Sequence, residues 1–155
     1  MIRVQQEDFD IGAEIARLKR GRTDIGAIVT FLGTMRGQAD GREITAMTLE
    51  HYPGMTEKEL ARIEAEACTR WKLQSSLIVH RTGMLHPGDN IVLVATASEH
   101  REAAFEAAEF LMDFLKTRAP FWKRESGPYG TSWVEAEDHD ETARERWVRA
   151  KNAAE

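Results

Sequence analysis

The fold is decided by residues 75–98, SSLIVHRTGMLHPGDNIVLVATAS. SSLIVHRTG (75–83) and NIVLVATAS (90–98) are short apolar runs rich in β-branched residues, and the turn formers His86-Pro87-Gly88-Asp89 separate them. That pattern predicts two strands. Downstream, Ser98 is expected to be the N-cap of a long helix over about 100–117, with a core stripe of Ala104, Ala108, Leu111 and Leu115 flanked by Phe105 and Met112. Pro120 stops that helix, and short strands follow over 120–125 and 131–136. Upstream, Thr56-Glu57-Lys58-Glu59 has the form of a capping box after Pro53-Gly54, and the helix it opens places Leu60, Ile63, Ala67 and Trp71 on one stripe.

Nearer the N-terminus, GAIVTFLG (26–33) reads as a strand covered on both faces. A flexible polar loop, TMRGQADGRE (34–43), joins it to a strand ITAMTLEHY (44–52), so the two are expected to form a long-looped hairpin. Residues 2–5 are expected to be a short edge strand, and Asp10 to cap a first helix that runs to about Arg20 and ends at Gly21. Strands mixed with two strong helices indicate an α/β class, specifically an α+β two-layer domain. With no repeat or linker-like stretch, one domain over 1–155 is expected. The acidic end (138–155) reads as a flexible tail, with an amphipathic turn or a frayed helix over 142–151.

Composition narrows the function. The chain has 155 residues, 42% hydrophobic and 30% charged, as in a soluble globular protein. Its net charge of -5 argues against a protein that coats nucleic acid. Cys68 is the only cysteine, so no intrachain disulfide and no cysteine-rich zinc site can form. The start MIRVQQEDFD lacks a secretory pattern, and no apolar run approaches the length of a membrane span, so a cytoplasmic protein is expected. The charge is uneven: KTRAPFWKR (116–124) holds Lys116, Arg118, Lys123 and Arg124 with no acid, while EAEDHDE (135–141) holds five acids in seven residues.

Three features could carry chemistry. The basic segment surrounds Pro120-Phe121-Trp122, an apolar setting in which a lysine pKa falls and the amine becomes a usable base or nucleophile. Solvated surface lysines would look the same from the segment alone. Ser98-Glu99-His100-Arg101 sets cations at a helix start, where the dipole disfavours them and an incoming anion would compensate, or where a neighbouring carboxylate would. Arg36 sits in a Gly-flanked loop, a weak signal alone. His51, His80 and His86 lack metal-ligand spacing and read as structural; Cys68 reads as inert. Neither a dinucleotide fingerprint nor a P-loop is present.

LEHYPGMTEKEL (49–60), VHRTGMLHPGD (79–89) and LKTRAPFWKRE (115–125) closely resemble the large, catalytic subunit of molybdopterin synthase, over about residues 24–135. The resemblance implies an α/β hammerhead fold with an additional antiparallel subdomain. It implies a sulfurtransferase of molybdenum-cofactor biosynthesis that converts cyclic pyranopterin monophosphate into the dithiolene of molybdopterin. The sulfur would come from a thiocarboxylate on the C-terminal Gly-Gly of a small ubiquitin-like subunit, in a heterotetramer built on a homodimer. No metal or resident cofactor is implied, and neither nucleic acid nor membrane is a partner.

By the same resemblance, Lys116 and Lys123 are the catalytic pair. Thr34, Met35, Arg36, His100, Arg101, Arg124 and Glu125 join them in binding substrate, with His100-Arg101 reaching the neighbouring copy's site. Gly37 stands where relatives often carry Asn, and Glu99 where a small residue is common. Phe31, Phe121 and Trp122 are either apolar walls of the site or core. Two other readings compete: a non-catalytic nucleotide- or RNA-binding module using the aromatic, basic 116–124 segment, and a scaffolding subunit whose chemistry lies in its partner.

Overall fold

The computed structural model describes residues 1–134 and Trp147. The readings of 135–146 and 148–155, including the acidic run and the flexible tail, lie outside the described residues. The elements are, in order, β1 (Ile2–Gln5), α1 (Ile11–Lys19), β2 (Ala27–Thr34), β3 (Gln38–Ala39), β4 (Arg42–Glu43), β5 (Ala46–His51), α2 (Met55–Trp71), β6 (Ser75–Arg81), β7 (Gly83–Leu85), β8 (Asn90–Ser98), α3 (Arg101–Thr117), β9 (Phe121–Gly127) and β10 (Gly130–Val134). Two four-stranded sheets result, ordered β1-β6-β8-β2 and β10-β9-β5-β7. β1 runs parallel to β6 and every other pairing is antiparallel.

The first sheet is built on residues 75–98. Alternation along β6 sends Leu77 and Val79 to one face, where with Leu93 and Ala95 they meet Phe9 and α1. Ile78 goes to the other face, where with Val92 and Val94 it meets Leu60, Ile63 and Ala67 of α2 and Phe110, Leu111 and Phe114 of α3. The second sheet covers a smaller core of Met35, Ile44, Met47, Leu49 and Leu85. The class is mixed α/β, as read from the sequence, with α1 covering the second face of the first sheet.

Several local expectations are corrected. β2 and β5 do not form a hairpin: β2 pairs with β8, and β5 pairs with β7 and β9 in the other sheet. Nor is β2 covered on both faces. It is the edge of its sheet, leaving Phe31 38% and Leu32 36% exposed. The polar loop between them holds its own miniature hairpin, β3–β4, turned at Asp40-Gly41 with φ of 50° and 73°. Positive φ at both central residues is what a type I′ turn requires, and Asp-Gly supplies it.

The helix starts also shift. Ser98 stays in β8, paired with Ala27, and His100 becomes the N-cap of α3 without a side-chain bond. At α2 the cap is Gly54, whose N–H donates to Glu57 Oε2 at 2.7 Å. On α3 the buried stripe is Ala104, Ala107, Ala108, Phe110, Leu111 and Phe114, while Phe105 points outward, 62% exposed. Asp10 caps α1 as expected, its Oδ1 accepting from Ala13 N at 2.7 Å. No helix among the described residues is long and apolar enough to cross a membrane.

Thr56, freed from capping, is fully buried and does a different job. Its hydroxyl accepts from Tyr52 N at 3.1 Å and donates to the Pro120 carbonyl at 3.3 Å. It therefore ties the end of β5 and the start of α2 to the residue that leads into β9. Thr56→Val keeps the volume but strands two buried backbone groups, so chemical denaturation should register a loss of about 1–3 kcal/mol.

Candidate active site

β9 runs between β5 and β10, and its alternation sorts the charged residues onto two faces. Lys123 pairs with Leu49 and Val134, and Glu125 with Met47 and Ser132. Both acidic and basic groups thus share the face that carries the small core. There Lys123 Nζ lies 3.1 Å from Glu125 Oε1. Arg124 projects from the opposite face, its guanidinium 5.6 Å from the Trp133 ring centroid. The LKTRAPFWKRE run is therefore split by the strand, and Arg124 does not join Lys123 and Glu125.

The loop after β2 comes to the same face by backbone bonds. Met35 N donates to the Asp89 carbonyl and Gly88 N to the Met35 carbonyl, both at 2.9 Å. Met35, expected to touch substrate, is buried in the small core, and its backbone bonds fix the loop that carries Arg36. The β3–β4 hairpin packs so closely on β9 that a Cβ at Gly127 would collide with the Glu43 carbonyl oxygen. Between hairpin and sheet lies a groove of about 420 Å³ whose charged wall includes Arg36, Arg42, Lys123 and Glu125 and whose aromatic wall includes Tyr129 and Trp133. Arg42, Tyr129 and Trp133 were not singled out in the sequence. Thr34 is exposed at the end of β2 and does not line the groove.

Lys116 is exposed on the last turn of α3, where the helix dipole favours a cation. Its charge reaches His80, a β6 residue only 8% exposed. The His80 ring stacks on Phe121 at 3.8 Å and 15°, and its Nδ1 donates to the Arg81 carbonyl at 2.8 Å. Burial pushes the His80 pKa down to about 4; the Arg81 carbonyl opposes this, and the nearby charges of His51 and Lys116 add to it. His51, paired with Phe121 across β5 and β9, has a buried Nδ1 without a hydrogen-bond partner. His80 is thus structural, as read. Cys68 is free, its Sγ 3.4 Å from Ser76 Oγ.

His100 and Arg101 stand apart from all of this. They are exposed at the N-terminus of α3, with His100 Nε2 3.8 Å from Glu99 Oε1. Along α3, Arg101 and Lys116 are separated by roughly 22 Å at 1.5 Å per residue. β2 tells the same story, since Ala27 pairs with Ser98 and Thr34 with Asn90, placing Arg36 and His100 at opposite ends of the strand.

The family model described as MoaE protein matches residues 4–118. The chain belongs to the MoaE family. Among curated members, the molybdopterin synthase catalytic subunit of Rhizobium meliloti (strain 1021) is 56% identical over 150 residues, covering 96% of each chain. The solved MoaE protein of Burkholderia ambifaria MC40-6 is 51% identical with a TM-score of 0.82, covering 96% of this chain and 97% of that one. The molybdopterin synthase of Staphylococcus aureus is 32% identical with a TM-score of 0.78, covering 86% and 96%. The second sheet of this MoaE chain supplies the additional antiparallel subdomain that the motifs implied.

The depressed His80 pKa gives this MoaE chain an acid-sensitive joint. The folded imidazole resists a proton that the unfolded one accepts near pH 6.5, so stability from this residue is complete above that pH and is lost as the pH falls toward 4. His80→Phe keeps a ring against Phe121 but removes the titration. Denaturation from pH 7 down to 4 should cost the wild type roughly 3 kcal/mol more than H80F.

Proposed function

We infer that this chain is the catalytic subunit of a molybdopterin synthase, a sulfurtransferase of molybdenum-cofactor biosynthesis. The observation that carries the reading is membership of the MoaE family at 56% identity over nearly the whole chain. The groove holding Arg36, Arg42, Lys123 and Glu125 gives that reading a place for its chemistry. The substrate is cyclic pyranopterin monophosphate, which needs cations for its phosphate; Arg36 and Arg42 offer guanidinium forks of the right geometry. The sulfur arrives as a thiocarboxylate on the C-terminal Gly-Gly of a small ubiquitin-like partner in the cytoplasm. No resident metal or cofactor enters the scheme.

Lys123 is the general acid/base or charge stabiliser, with Glu125 fixing its ammonium, and Lys116 meets the thiocarboxylate. Nothing favours the nucleotide- or RNA-binding alternative: Lys123 is engaged by Glu125, and Arg124 faces the other way. Anaerobic incubation with cyclic pyranopterin monophosphate and thiocarboxylated small subunit should yield a dithiolene. K116A and K123A should each lower its formation by about 100-fold or more while leaving the subunits assembled. No dithiolene from the wild type with a verified partner would overturn the function, and near-normal rates in both variants would overturn the assignment of the lysines.

His100 and Arg101 serve the site of a second copy within a heterotetramer. β2 is an open edge, and a two-fold antiparallel meeting of two such edges sets the His100 end of one copy beside the Arg36 end of the other. Mixing R36A chains with H100A chains should then restore activity that neither has alone, approaching about a quarter of wild type when one intact site forms in each mixed dimer. Absence of rescue would place both residues in one chain's site.

A further inference from the structure

The start of β2 meets the approach to α3 at Gly26. Its N–H donates to the Ser98 carbonyl at 3.0 Å. Its Cα faces the next carbonyl along the chain: a Cβ on Gly26 would collide with the Glu99 carbonyl oxygen and lie 3.1 Å from the carbonyl carbon. What stands in the way is backbone, not the end of a flexible side chain. Gly26 is exposed and its backbone lies outside the left-handed region, so neither burial nor a turn calls for glycine here. The close approach to Glu99 does.

The chain on either side of that contact is held, and the part between is not. Ser98 is fixed in β8 by its pairing with Ala27. The Thr96 hydroxyl donates to the Ala104 carbonyl at 2.7 Å and ties the first turn of α3 to the sheet. Between them Glu99 and His100 are exposed, His100 caps α3 without a side-chain bond, and Ala104 N meets the His100 carbonyl at a long 3.4 Å. A push on the Glu99 carbonyl is therefore taken up by His100 and Arg101.

We propose that Gly26 is the positioning residue for His100 and Arg101: without a side chain, it lets the start of β2 back directly onto the Glu99 peptide and fixes the direction in which the pair leaves the sheet. The proposal rests on the reading above in which that pair completes the site of a second copy. Gly26 directly precedes β2, whose far end leads to Arg36. One strand thus sets both contributions, its end serving its own site and its start the neighbour's.

Complementation on the full chain tests this. Gly26→Ala should lower kcat/KM for dithiolene formation on the order of 100-fold, with the loss in KM for cyclic pyranopterin monophosphate and KM for the small subunit little changed. Mixed with R36A chains, G26A should recover about a quarter of wild-type activity; mixed with H100A chains it should recover none, because both then lack the same half of the site. A general loss of fold is rescued by neither. Rescue by H100A, or by neither, overturns the proposal. R36A with H100A is the control: its failure sinks the two-copy reading and this proposal with it, while a working control with G26A in the wrong class sinks the proposal alone. If G26A does not fold, Glu99→Gly and Glu99→Ala decide. Both remove the carboxylate, but only glycine loosens the peptide that Gly26 supports. E99G should lose about tenfold and be rescued by R36A but not by H100A chains, with E99A within about threefold of wild type. Equal rates in the two Glu99 variants overturn the proposal.

Discussion

The stacking of Phe121 on His80 is a contact that joins the two sheets. His80 belongs to the first sheet and Phe121 opens the central strand of the second. A charged imidazole could not sit there without severe desolvation, and burial keeps it neutral at ordinary pH. Thr56 fastens the preceding carbonyl from the other side. With residues 120 and 121 held by these contacts, the spacing between Lys116 on α3 and Lys123 on β9 is set by three linking residues and one strand, not by a free loop. A site that manages charge on a transferring sulfur depends on such preorganisation.

Much of this was legible in the chain itself. The β-branched runs over 75–98, the Asp10 cap and the apolar stripe of α2 all follow from short-range periodicity, and the motif 115–125 contributes Lys123 and Glu125 to the groove. What periodicity cannot supply is the identity of a strand's neighbour. GAIVTFLG and the run ending in His51 fit a hairpin as well as they fit two sheets, and only the global pairing with β8 and β9 decides. Phe105 and Phe110 are equally apolar, so a small change in helix phase exchanges which is buried. Arg124 is a different case. Period-2 alternation in 121–127 separates it from Lys123 and Glu125. Arg42 and Trp133 gave no signal, because they reach the groove only through the β3–β4 turn and the β9–β10 pairing.

Charge shows the same division between local and global information. The chain carries -5 overall, and its groove interleaves Arg36, Arg42 and Lys123 with Asp40, Glu43 and Glu125. Acidic bulk keeps polyanions away. The pair His100-Arg101 is exposed at a helix end that the groove of the same chain does not reach.

The open side of β2 has a cost that concerns the life of the chain before it finds any partner. Among the described residues, eight residues of strand, with Phe31 and Leu32 uncovered, present a row of unpaired backbone groups and no lysine to repel a neighbour. Edges of this kind template indiscriminate pairing. A newly made copy is therefore safest when this edge is quickly covered.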